Sequence, residues 1–221
     1  MPIFKLLIFD FDGTLASSLD GITACFQQTL VHYEYSSPTA AEVRRTIGLT
    51  IEESVRRLTR FECREQDIPE IVTFYRALHE TVAAPRIQLF EGVREILSDV
   101  QSSRIKTALV SNKGSAGLNG LLDKFAIRNR FDLIVSADSS SCQKPAAELY
   151  ERYISPMFGE IDRSETVLVG DTESDLQFAR NSGIRSCWAQ YGYGDVSTCD
   201  ALRPDFRICK IAELRSIVQI D

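Results

Sequence analysis

A chain of 221 residues, 44% hydrophobic and 25% charged, has the make-up of a globular protein with room for one sizeable domain, or one domain carrying an insertion. Its formal net charge of −6 argues against a nucleic-acid or acidic-membrane partner, so an anionic substrate must be met by local cations rather than by the whole-molecule field. The six cysteines (Cys25, Cys63, Cys142, Cys187, Cys199, Cys209) lack Cys-x-x-Cys spacing, and His32 and His79 are the only imidazoles, so free thiols in a reducing cytoplasm are expected and structural zinc is not.

Leu6–Phe9 is a continuous apolar run, as in a parallel strand covered on both faces. Asp10 and Asp12 arrive where it stops, and a carboxylate there is costly unless it meets a cation or donors. Gly13 allows a sharp turn, and Thr14 offers a hydroxyl to nearby groups. The pattern then becomes helical. Leu19–Tyr33 reads as one amphipathic helix, and Thr39–Glu42 and Thr50–Glu53 both fit the capping box. Ile51, Val55 and Leu58 follow at helical spacing, and a further helix over 69–83 places Ile68, Val72, Tyr75 and Val82 on one face. With no strand signal over 17–85, that stretch is expected to be an all-helical insertion.

Alternation of the α/β class follows. Helices are expected over 92–102, around Leu118–Phe125, after Gln143-Lys144-Pro145 (with Pro in the first turn), over 174–182 and over 212–218. Strands are expected over 106–110, 131–135, 166–169, 185–189 and 205–208, and Gly183 stops one helix at its C′ position. The reading is a doubly wound, Rossmann-like parallel sheet, with residues 1–16 and 86–221 as core and 17–85 as helical cap. No apolar run approaches the ~18 residues of a membrane span, and no signal-like apolar stretch precedes Lys5, so a cytoplasmic protein without a membrane partner is expected.

In doubly wound sheets the ligand crevice lies outside the carboxyl ends of the strands. Asp10/Asp12, Ser111/Asn112, Lys144 and Asp171/Asp175 all fall at or after such ends. Singly each has a plain alternative: Ser111-Asn112 a turn or cap, Lys144 a solvated lysine, and 170–175 an Asp-rich helix start that the macrodipole favours. Together they suit a divalent, oxygen-preferring cation and a phosphoryl group. A carboxylate nucleophile could then form an aspartyl-phosphate, and a second carboxylate two residues on could protonate the leaving oxygen and activate water.

Asp-Phe-Asp-Gly-Thr-Leu, Val-Ser-Asn-Lys, Gln-Lys-Pro and Gly-Asp-Thr-Glu-Ser-Asp fit in order and spacing, with Tyr191-Gly-Tyr-Gly194 downstream. On these segments the chain resembles the haloacid dehalogenase superfamily, in its phosphatase branch with a helical cap, and is most similar there to phosphoglycolate phosphatase-type members. The resemblance implies Asp10 as nucleophile and Mg²⁺ ligand, and Asp12 as general acid/base whose backbone carbonyl also reaches the metal. It implies that Ser111 and the Asn112 amide hold phosphoryl oxygens, that Lys144 neutralises them and orients Asp10, and that Asp171 ligates Mg²⁺. Thr14 and Asp175 would support these groups from behind. Asp12 favours phosphoryl transfer, because the superfamily's dehalogenases and phosphonatases lack a carboxylate there. Two positions depart from the pattern: Ser17, where relatives often have Asp, and Glu91, where Pro commonly precedes Gly92.

In the cap, Arg44 and Arg45, with Lys113 from the core, are the candidate cations for an anionic group on the substrate. The reading is thus a Mg²⁺-dependent phosphatase, monomer or homodimer, acting on a small phosphorylated metabolite. 2-Phosphoglycolate comes first, ahead of sugar phosphates, nucleoside monophosphates and pyrophosphate. A sugar phosphomutase shares every core residue and stands as the alternative, and a non-catalytic binding module as the remote one.

Overall fold

The computed structural model describes residues 4–220. Strand β1 (Leu6–Phe9) has all four side chains buried, as its unbroken apolar run requires. The two-residue strand β2 (Ala16–Ser17) follows, then α1 (Leu19–His32), α2 (Ala40–Arg44), α3 (Ile51–Leu58) and α4 (Ile68–Leu78). A π-helical turn, His79–Ala83, extends α4 and leads to β3 (Gln88–Leu89). Beyond it come α5 (Val93–Ser102), β4 (Lys106–Val110), α6 (Ser115–Lys124) and β5 (Leu133–Val135). A second π-helical turn, Tyr150–Ile154, runs into α7 (Ser155–Phe158). β6 (Thr166–Gly170), α8 (Glu173–Ser182), β7 (Arg185–Ala189), α9 (Val196–Ala201), β8 (Phe206–Ile208) and α10 (Leu214–Val218) complete the order.

Six strands form one parallel sheet in the order β5-β4-β1-β6-β7-β8. β1 is therefore flanked by β4 and β6, in register Ile8–Ala108 and Ile8–Leu168. The chain leaves β1 toward one edge and returns to build the other, which puts the switch point beside β1. Alternate side chains fill the two faces: Leu7, Phe9, Leu109 and Val169 enter one cluster, and Leu6, Ile8, Val110 and Leu168 the other. This covering of both faces explains why the strands read as apolar runs and not as alternation.

The expected elements differ from those observed in a few places. β2 and β3 form a two-residue antiparallel ladder that closes the neck of the helical segment, too short to carry a periodic signal. The box at Thr39–Glu42 is complete, whereas at Thr50 only the Glu53 amide donates back to the hydroxyl. Gln143–Pro145 makes a turn with a cis Lys144–Pro145 bond, and the helix expected there starts just after it, at Glu148, without Pro in its first turn. Gly183 does end α8 in the left-handed conformation, at φ 66°. The six thiols are free: four are buried, Cys142 is half-buried and Cys209 exposed. No helix among the described residues is long and apolar enough to cross a membrane.

The helical segment between β2 and β3 packs on the core without a break in the apolar cluster: Val43, Val55, Ile71 and Tyr75 share it with Leu7 and Phe9. Polar ties fix the seam. Arg44 donates from Nε to Tyr193 O (3.1 Å) and from an Nη to Gly192 O (2.8 Å). The Tyr193 hydroxyl accepts from the backbone N–H groups of Ser18 (2.7 Å) and Leu19 (3.0 Å). Asn112 Nδ2 donates to Gly48 O at 2.9 Å.

Ile8 is fully buried, so Ile8→Ala lowers unfolding free energy in urea by ~2–5 kcal/mol. Val31→Ala, at a position 56% exposed, changes it by less than ~0.5 kcal/mol. In hydrogen exchange, Arg44→Ala speeds the amides of Ser18, Leu19 and Tyr193 several-fold while Arg45→Ala leaves them alone. Equal effects of the two variants would contradict the tie.

Candidate active site

Asp10 leaves β1 at the rim, where its backbone N–H still donates to Val169 O. Its side chain is buried, and one oxygen accepts from Lys144 Nζ at 2.6 Å. Lys144 is brought in by the long loop after β5, and the same ammonium meets Asp175 Oδ1 at 2.6 Å. The other Asp175 oxygen accepts from the Thr172 N–H and hydroxyl (3.0 and 2.7 Å), closing the capping box of α8. Helix start and lysine anchor are thus one side chain.

Asp171 is fully buried at the end of β6. Thr14 donates its hydroxyl to Oδ1 (2.9 Å) and Tyr193 its N–H to Oδ2 (2.7 Å). Trp188 Nε1 donates to the Asp171 carbonyl at 3.1 Å. Two glycines make room: a Cβ on Gly13, which sits at φ +95°, or on Gly192 would overlap the Asp171 carboxylate. Oxygens of Asp10, Asp171 and Asp175 all lie within 4.8 Å of one another.

Three carboxylates are buried together, and one ammonium pairs with two of them, Asp10 and Asp175. Burial, with Asp175 adding repulsion and Lys144 opposing, pushes the Asp10 carboxyl up to about 7. Burial, Asp10 and Asp175 push that of Asp171 well above its ordinary range. For Lys144 burial works against the charged form, but attraction to Asp10 and Asp175 outweighs it and the pKa is raised. Such an excess of hard, water-poor oxygen donors fits a divalent cation of the Mg²⁺ type. Asp10 has one oxygen that Lys144 does not engage, and Asp171 is held by two neutral donors where Asp175 is tied to the ammonium, so Asp10 and Asp171 are the carboxylates best placed to hold it. The Asp12 side chain does not join the cluster, so the expected ligation through Asp12 has only its backbone carbonyl to draw on.

Asp12 instead meets Lys113 Nζ at 3.2 Å, both half-buried. Ser111 is buried on the rim of β4, and its Oγ accepts from the Lys113 N–H at 3.2 Å. The Asn112 side chain is occupied: Nδ2 donates to Gly48 O and Lys144 O, and Oδ1 accepts from the Lys144 N–H. It holds the lysine loop and the helical segment to the rim, leaving only its backbone N–H for a phosphoryl oxygen.

Asp10, Asp12, Ser111, Asn112 and Lys113 line one cavity whose far wall comes from the helical segment. The structure corrects the expectation for the arginines. Arg44 is spent on the Gly192 and Tyr193 carbonyls, and Arg45 lies on a separate surface depression with Glu42 and Arg57. Neither lines the cavity. Arg76 and His79 do, and sequence reasoning missed both. The signal was available for His79, one helical turn beyond Tyr75 on the face already expected to be buried.

A family model for haloacid dehalogenase-like hydrolases matches residues 7–189. A phosphoglycolate phosphatase from Pectobacterium atrosepticum is 30% identical over 221 aligned residues, covering 96% of this chain and 91% of that protein. A pyrophosphatase, PpaX, from Bacillus velezensis is 25% identical, covering 97% of this chain and 96% of its own. Among solved structures, a predicted phosphoglycolate phosphatase from Haemophilus somnus superposes with a TM-score of 0.90 at 22% identity, covering 98% of this chain and 99% of that one, a likeness of fold. The rim that gathers Asp10, Lys144, Asp171 and Asp175 lies inside the matched span, and the chain belongs to the haloacid dehalogenase-like hydrolase family.

Proposed function

We propose that this hydrolase is a Mg²⁺-dependent phosphatase that takes the phosphoryl group of a small phosphate monoester onto Asp10 and passes it to water. The observation that carries the reading is the Asp10–Lys144 pair at 2.6 Å, with Asp12 two residues on lining the same cavity. In this reading residues 1–16 and 86–221 form the catalytic core, and 17–85 the cap that excludes water and selects the leaving group.

Lys144 holds one Asp10 oxygen in place, which fixes the direction from which the other meets phosphorus. Ser111 Oγ and the Asn112 N–H donate to the phosphoryl oxygens as charge builds on them. Asp12 lines the cavity two residues from Asp10 and passes a proton to the departing alkoxide. The same carboxylate then takes a proton from the water that attacks the aspartyl-phosphate. Asp175 and Thr14 keep Lys144 and Asp171 in position. Mg²⁺, when bound, supplies the positive charge that lets a dianionic phosphate approach a buried carboxylate. Names of relatives put 2-phosphoglycolate and pyrophosphate on the test panel.

Asp10→Asn removes free-phosphate release from an aryl phosphate in Mg²⁺ by a factor of ~10³ or more, with the far-ultraviolet circular dichroism unchanged. Asp12→Asn loses ~10²–10⁴-fold. A mutant at Asp10 that keeps its turnover would overturn the reading, and transfer to a sugar hydroxyl without free phosphate would assign the mutase instead. Separately, Mg²⁺ raises the melting temperature of the wild type, by an amount worth ~2.7 kcal/mol at one hundred times Kd. Asp171→Asn abolishes that rise; an equal rise in both proteins would place the cation elsewhere.

A further inference from the structure

The cavity holds ≈ 100 Å³ of free space. Its two walls differ in chemistry. The core side is polar and carries the phosphotransfer groups. The cap side is built of Ile22, Phe26, Ile47, Leu49, Ile51 and Tyr75, with Phe26 and Tyr75 in ring contact at 4.5 Å between centroids.

A second anionic group on the substrate would need a cation on that wall, because an unpaired charge against apolar surface is costly. The lining supplies two cations beyond the rim, and both are matched. Lys113 is held to Asp12 at 3.2 Å. Arg76 has half its side chain in solvent, meets Glu52 at 3.6 Å, and shares its end of the cavity with Asp138. His79 is 8% exposed, and burial, with Lys113 adding repulsion, pushes its pKa down to about 4, so it brings no positive charge at neutral pH. Its ring packs on Gly117 of α6, and Nε2 is buried without a partner.

We infer that the preferred substrate is a phosphate monoester of an uncharged, mostly apolar alcohol of branched-alkyl or arylalkyl type, received between Phe26, Tyr75 and Leu49. The inference rests on the phosphatase reading of the same site and turns that reading away from a phosphorylated carboxylic acid.

The test compares kcat/KM, by free-phosphate release in Mg²⁺, for isobutyl phosphate, benzyl phosphate, glycerol 1-phosphate and 2-phosphoglycolate. All four leave as alkoxides, so leaving-group acidity does not favour the apolar esters. Benzyl and isobutyl phosphate are expected to exceed 2-phosphoglycolate by tenfold or more, mainly through KM. Leu49→Lys is expected to narrow that ratio at least fivefold by placing a cation on the apolar wall; Ile51→Lys does the same should the first variant melt early. If 2-phosphoglycolate equals or beats the apolar esters and Arg76→Ala removes its advantage, the inference is overturned while the phosphatase reading stands. If no ester releases phosphate in a way that depends on Asp10, the phosphatase reading falls and the inference with it.

Discussion

One ammonium, Lys144 Nζ, stands 2.6 Å from both Asp10 and Asp175 in a place almost closed to water. Removing a buried charge from its partners is strongly destabilising, typically ~3–5 kcal/mol, because what remains is an uncompensated ion. The rim therefore holds together only as a set. Asp175 is committed twice, to the lysine and to the start of α8, so the helix that follows β6 and the loop that follows β5 are set in place by the same carboxylate. With Asp171 inside the cluster the negative charge still exceeds the positive. That residual imbalance makes Asp10 costly to ionise.

The hydrogen bonds to Asp171 continue outward. Tyr193 donates its N–H to that carboxylate and, through its hydroxyl, receives two amides at the start of α1. Arg44, on the other side of the seam, grips the carbonyls of Gly192 and Tyr193. A buried carboxylate of the rim and the seating of the helical segment thus share one loop. Movement of the cap away from the core must break bonds in the segment that holds Asp171. The seating of the helical segment and the placement of Asp171 are in this way physically linked.

Much of this was legible in the chain before folding. The first parallel strand announced itself as the apolar run Leu6–Phe9, whose observed limits agree with the expected ones, because burial on both faces leaves no alternation to blur the signal. Local chemistry gave the cap at Thr39 and the stop at Gly183. What escaped depended on partners far away in sequence or on very short elements. β2 and β3 have two residues each, and their pairing joins Ala16 to Leu89. α9 was missed although Asp195 caps it by accepting from the Thr198 N–H. Arg44 looked like a ligand cation because its real partners lie 148 and 149 positions on. The core site could be read from four motifs in order; the cap cavity could not, since its character comes from which side chains of three helices and a loop face inward together.

The central claim is that phosphorus is bonded for a time to Asp10. Acid quenching during turnover of a radiolabelled monoester, followed by peptide mapping, tests it most directly. The label should appear within the first turnover on the peptide carrying Asp10, decay as phosphate is released, and be absent from Asp10→Asn. Turnover with no acid-trapped label on that peptide, or label on a different side chain, would contradict the account.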